Sequence, residues 1–145
     1  MSAVLGGPAA APAGVAPLLT RPLRRPQARW LAAAALVAAG AHVPVIAPHL
    51  DEAPYMGVLF VVLTVGCAVV GVAALVRDSA AVYALAALTC GLAVVGYAAT
   101  RLVAFPMLAD DVGNWLEPLG VVSVLSETAV VLLAVSALRR GRVRR

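Results

Sequence analysis

Four apolar runs separated by three short polar connections are the feature that most constrains this chain. They cover residues 30–47, 55–76, 80–102 and 118–138. Each is close to the roughly 20 residues that a helix needs to cross the hydrocarbon of a bilayer. With 63% hydrophobic and 12% charged residues in 145, a water-soluble domain has too little polar surface to remain in solution. Backbone polar groups in lipid must pair within their own segment, so the runs are expected to be helices. Short connections make sequential helices antiparallel. The fold class expected is all-α, an integral membrane four-helix up-down-up-down bundle. Small residues such as Ala34, Ala38, Gly71 and Gly91 allow the helices to approach closely.

The flanks extend this reading. Residues 1–28 are rich in Ala and Pro and read as a disordered cytoplasmic tail, while 139–145 form a basic tail. All 11 basic residues are Arg. Basic chains often bind nucleic acid, but here the arginines flank apolar runs, so the partner expected is the bilayer and not nucleic acid. With the N-terminus inside, Arg21, Arg24, Arg25, Arg29, Arg77, Arg139, Arg140, Arg142, Arg144 and Arg145 all fall on the inner side, and only Arg101 lies toward the outer side. This asymmetry predicts a plasma-membrane protein with both termini cytoplasmic. A rival reading takes Arg24–Arg29 and Leu31–Gly40 as a signal sequence cleaved at Ala39-Gly40-Ala41. Continued apolar character through Val43, Val45, Ile46 and Ala47 favours a retained helix. Pro44 is expected to kink or loosen the outer half of that helix, with residues 49–54 forming a short acidic loop. Asp78 or Ser79 can cap the third helix.

Ionisable groups inside a membrane are costly, so they mark where function or helix pairing resides. Three qualify: His42, Arg101 and Glu127. Cys90, Tyr97 and Arg101 share one stripe of the third helix, and Gly120, Ser123 and Glu127 share one stripe of the fourth. A polar pocket in the outer half of the bundle is therefore predicted, lined by His42, Tyr97, Arg101, Ser123 and Glu127. The bland alternative is that Glu127 pairs with Arg101 or His42 and only fixes helix register. A transition metal is a second possibility, with His42, His49, Glu52 and Glu127 as imidazole and carboxylate donors, although no HExxH or Cys-rich box is present. Haem fits less well. His42 and His49 stand about 10 Å apart along one helix at 1.5 Å per residue, so they cannot serve one iron within a monomer. The leading expectation is a metal or small ligand in the outward-facing pocket, and the rival is a structural or accessory membrane subunit with a homo-oligomer or membrane protein as partner. Proton-coupled transport by a small oligomer ranks below both. Cys67 and Cys90 read as apolar packing residues or as an interhelical disulfide. Ser123, Ser126 and Thr128 lie in no nucleophile frame, so enzymatic activity is not expected.

Three stretches also carry a resemblance: His42…Pro48-His49-Leu50-x-Glu52 leading to Tyr55, Gly57 and Phe60; Thr100-Arg101-x-Val103-x-x-Pro106; and Glu117-Pro118-x-Gly120 followed by Ser126-Glu127. Together they resemble a group of uncharacterised four-helix integral membrane proteins common in actinobacteria, over about residues 30–138. The second stretch departs from that group's pattern, which reads closer to Ser-Arg-Thr-Val-Gly-Leu-Pro. The resemblance implies no activity. It does imply that the His, Arg and Glu positions belong to one pattern and that the first helix is retained.

Overall fold

The computed structural model describes residues 26–143. They form four long helices: α1 (Gln27–Glu52), α2 (Pro54–Val76), α3 (Ala80–Leu102) and α4 (Pro118–Val143), with one 3-10 turn at Ala109–Asp111. All four are long and apolar enough to cross a bilayer, and the chain is a multi-pass membrane protein. Sequential helices are neighbours and α4 closes the ring against α1, while diagonally opposed helices barely meet. One end of the bundle carries the α1–α2 turn and the 103–117 loop. The other carries the 77–79 turn, the start of α1 and the end of α4.

Packing runs opposite to that of a soluble bundle. The core is built largely of small residues, including Ala32, Ala35, Ala38, Ala74, Ala86, Ala134 and Ala137, with Leu31, Val70, Tyr83 and Val130 among them. Large branched side chains such as Val62, Val69, Leu75, Leu88, Leu92 and Leu132 face outward. Lipid is as apolar as Leu, so burying large side chains gains little, whereas small ones let backbones close in and gain dispersion contacts. Gly71 illustrates the fit. A Cβ there would stand 3.3 Å from Leu36 Cγ and 3.4 Å from the Ala32 carbonyl oxygen.

The helix boundaries differ from expectation chiefly in α1. It runs through Pro44 and Pro48 to Glu52, whereas a loop was expected from residue 49. Each proline removes one N–H, but the remaining backbone bonds and the packing of α1 against α2 and α4 hold the helix. Ala53 alone then separates α1 from α2. Its N–H donates to the His49 carbonyl at 2.9 Å, and its own carbonyl accepts from Met56 and Gly57. Pro54 follows at the first helical position, where its missing N–H costs nothing. Gly57 is required here, since a Cβ would lie 2.7 Å from the Leu50 backbone nitrogen. Ser79 caps α3 through its Oγ, which accepts from Val82 N. α4 continues past Leu138, so much of the expected basic tail is helical. The Ala/Pro-rich tail lies outside the described residues up to position 25, and Gln27 and Ala28 belong to α1.

Candidate functional site: a half-open cavity with a buried histidine–glutamate contact

Between α2 and α3, in the half of the bundle nearer the 103–117 loop, lies a cavity of about 680 Å³. It forms where α2 and α3, the adjacent pair that touches least, separate. Its walls are apolar, with Leu59, Phe60, Val62 and Leu63 from α2 and Leu92, Ala93 and Gly96 from α3. Leu59, Val62 and Leu92 are also strongly exposed on the outside of the bundle, so the space is open toward the lipid-facing surface.

α1 and α4 supply the polar part. His42 Nε2 stands 2.8 Å from Glu127 Oε1 and 3.3 Å from Ser123 Oγ. Exposure is 4% for His42, 6% for Ser123 and 1% for Glu127. At 2.8 Å a proton must lie between imidazole nitrogen and carboxylate oxygen, because two bare lone pairs would repel. Phe60 flanks the imidazole with ring centroids 5.5 Å apart and meets His49 edge-on at 4.8 Å. Both heteroatoms on the far side of the contact, His42 Nδ1 and Glu127 Oε2, make no hydrogen bond among the described residues. The pair therefore keeps unused donor and acceptor capacity beside the cavity that both residues line.

A second cluster stands at the mouth. Arg101 Nη1 bonds Asp111 Oδ1 at 2.7 Å and the Asp111 carbonyl at 3.2 Å, and the guanidinium lies 4.7 Å from the Tyr97 ring centroid. Tyr97 donates its hydroxyl proton to the Trp115 carbonyl at 2.8 Å, and Gly113 N donates to the Arg101 carbonyl at 2.9 Å. These bonds fold the 103–117 loop back over the end of α3. Glu117 then caps α4, with Oε1 accepting from Leu119 N at 3.1 Å and Oε2 accepting from Gly120 N. Gly120 is constrained by the same contacts, since a Cβ would meet Tyr97 Cε2 at 2.6 Å.

His42, Tyr97, Arg101, Ser123 and Glu127 all line this one cavity. They form two groups, not one: His42, Ser123 and Glu127 deep inside, Tyr97 and Arg101 at the mouth. Arg101 pairs with Asp111, and Glu127 pairs with His42. The metal set expected from the sequence does not gather. His49 turns its Nδ1 to the Val45 carbonyl at 2.8 Å, and Glu52 is exposed at the end of α1. Among the described residues no group of three or more His, Cys, Asp or Glu side chains could hold a metal ion. Sequence reasoning missed Phe60, Asp111 and Glu117 as lining residues. An Arg at a helix end followed by an acidic loop was the signal available for Asp111, since a buried guanidinium requires a counter-charge.

No family model, curated protein or solved structure matches this chain.

Proposed function

We propose that this membrane protein binds a small ligand with an apolar body and a polar head in the cavity between α2 and α3. The carrying observation is that a buried, hydrogen-bonded His42–Ser123–Glu127 group borders a space of about 680 Å³ that no side chain fills. A pair serving only helix register would be closed over by its neighbours, as buried polar groups are costly unless fully satisfied. Here the bundle closes tightly in one half and stands open beside this pair. The volume falls in the range of ordinary ligand pockets, and apolar walls with a few convergent polar groups are their usual lining.

The reading includes an orientation. The arginine distribution supports a plasma-membrane protein with both termini cytoplasmic, so the cavity opens in the outer half. It also includes a retained α1, whose Leu31, Ala32, Ala35 and Ala38 belong to the core. The resemblance to actinobacterial four-helix membrane proteins belongs to the same reading, because it groups His42, Arg101 and Glu127.

Native mass spectrometry of protein gently extracted from its membrane tests ligand binding. The expected result is a bound small molecule on wild type that is lost in Gly96→Trp. Gly96 lines the cavity, and a Cβ there meets nothing within 4 Å, so this change occupies space without disturbing the polar trio. An adduct that persists in Gly96→Trp, or no adduct on wild type, would overturn the reading.

A further inference from the structure

The charges around the cavity restrict which head group it accepts. Its ionisable lining residues are His42 and His49 from α1, Arg101 from α3, Asp111 and Glu117 from the 103–117 loop, and Glu127 from α4. Three carboxyl groups therefore face one guanidinium. The charge of Arg101 is countered by Asp111 at 2.7 Å and lies over Tyr97, although its buried Nε has no hydrogen-bond partner among the described residues. Glu117 has both oxygens on the first amides of α4, where the helix dipole offsets its charge. Glu127 is the exception. It is almost wholly buried, and Oε1 is held by His42 while Oε2 has no hydrogen-bond partner among the described residues. An anion placed here would meet an excess of carboxyl groups, and the one guanidinium already faces Asp111. A neutral head with an O–H or N–H would hydrogen-bond Glu127 Oε2 but bring no charge to offset the excess of carboxyl groups. A cation would offset that excess, and Phe60, which packs against the His42 ring, offers an aromatic surface in the same cavity.

The walls fix the other end of the ligand. Leu59, Val62, Leu63, Leu92 and Ala93 solvate no polar group, and Leu59, Val62 and Leu92 continue onto the lipid-facing exterior. A molecule that reaches Glu127 between them must itself partition into lipid. We infer that the cavity is a site for lipophilic cations, with the cationic head at Glu127 and the apolar body between α2 and α3. This rests on the ligand-binding reading above and adds the sign of the charge.

Probes of matched shape separate the two statements. Wild-type protein in neutral-lipid nanodiscs is titrated with tetraphenylphosphonium, its anionic counterpart tetraphenylborate, and neutral triphenylphosphine oxide, with Gly96→Trp nanodiscs as the lipid-partition background. The cation should bind above background at one site per protomer, at least roughly tenfold more tightly than either other probe, a preference of about 1.4 kcal/mol or more. Glu127→Gln keeps the shape and the hydrogen bond to His42, and it should lose most of that preference while still taking the neutral probe. Gly96→Trp should take none. Equal or tighter binding of the borate or the neutral probe, or a preference that survives Glu127→Gln, overturns the charge assignment and leaves the pocket standing. No binding of any probe above background removes both.

Discussion

The two halves of this bundle use similar helices to opposite ends. At the end where α1 begins and α4 finishes, Ala32, Ala35, Val70, Ala74, Tyr83, Ala86, Val130 and Ala137 interlock. At the level of Cys67 and Cys90 the thiols of α2 and α3 stand 4.0 Å apart. Toward the loop end α2 and α3 form facing walls of the cavity. Small residues occur in both halves. In the closed half Gly71 receives the Leu36 side chain and the Ala32 carbonyl, whereas Gly96, beside the cavity, receives nothing. Small side chains thus permit close packing without enforcing it. What holds the open half in shape is polar: the His42–Glu127 contact joins α1 to α4, and Arg101 ties α3 to the loop.

The sharpest way to break this comparison is to make one substitution in both halves. Gly71→Leu adds atoms where a Cβ already meets Leu36 Cγ at 3.3 Å and the Ala32 carbonyl at 3.4 Å. Overpacking of this kind costs about 1–3 kcal/mol. Gly96→Leu enters open space and should leave stability within about 0.5 kcal/mol of wild type. Unfolding midpoints in mixed detergent, compared side by side, check both. Equal losses at the two positions would mean that the halves are packed alike.

Next in size is the loop clamp. Arg101→Gln removes the ion pair with Asp111 and the stacking on Tyr97, both in a residue only 7% exposed. Breaking a hydrogen bond to a charged, partly buried group costs about 1.5–3 kcal/mol. The loss should be local. Amide exchange should speed up at Gly113, Asn114 and Trp115, whose N–H groups are held within the loop or to Arg101. Amides at Ala35 and Val130, in the closed half, should not change. Faster exchange in both halves would show that the loop supports the whole bundle.

The cysteines test where the closed half ends. Both are fully buried, on facing helices, with Sγ atoms 4.0 Å apart. A disulfide requires about 2.05 Å, so the two side chains must rotate toward each other to close the gap. Copper phenanthroline treatment in membranes should convert most of the protein to an intrachain disulfide, visible as lost maleimide labelling after unfolding. Cys67→Ser should abolish it. Failure to oxidise would place the separation of α2 and α3 deeper than these residues.

How much of this was legible beforehand depends on the kind of signal. The four helices were legible because lipid imposes length and apolarity on each segment independently. The end of α1 was not, because Pro44 and Pro48 usually mark an ending, and only packing against α2 and α4 overrides them. His42, Ser123 and Glu127 were legible as buried polar residues on predicted faces. Their division from Tyr97 and Arg101 was not, since it depends on which counter-charge each finds. Asp111 reaches Arg101 because Met107 and Gly113 take left-handed backbone, with φ of 62° and 80°, and turn the loop back. No periodicity encodes that turn.

That turn gives the smallest effect. Gly113 at φ 80° is in the region that L side chains avoid, yet a Cβ there meets nothing within 4 Å. Gly113→Ala therefore tests backbone conformation without a steric clash. The cost should be about 1 kcal/mol, the ordinary penalty of left-handed backbone for a residue with a Cβ. It should appear as a modest rise in exchange at the loop amides, well below that of Arg101→Gln. Met107 already bears the same penalty at φ 62°, so Met107→Gly should shift the loop the other way by a similar amount. Opposite signs at these two positions would show that the loop's return over the mouth is set by backbone geometry as well as by the arginine clamp. If neither moves exchange, the arginine clamp and not the backbone geometry of these two residues sets the loop's return over the mouth.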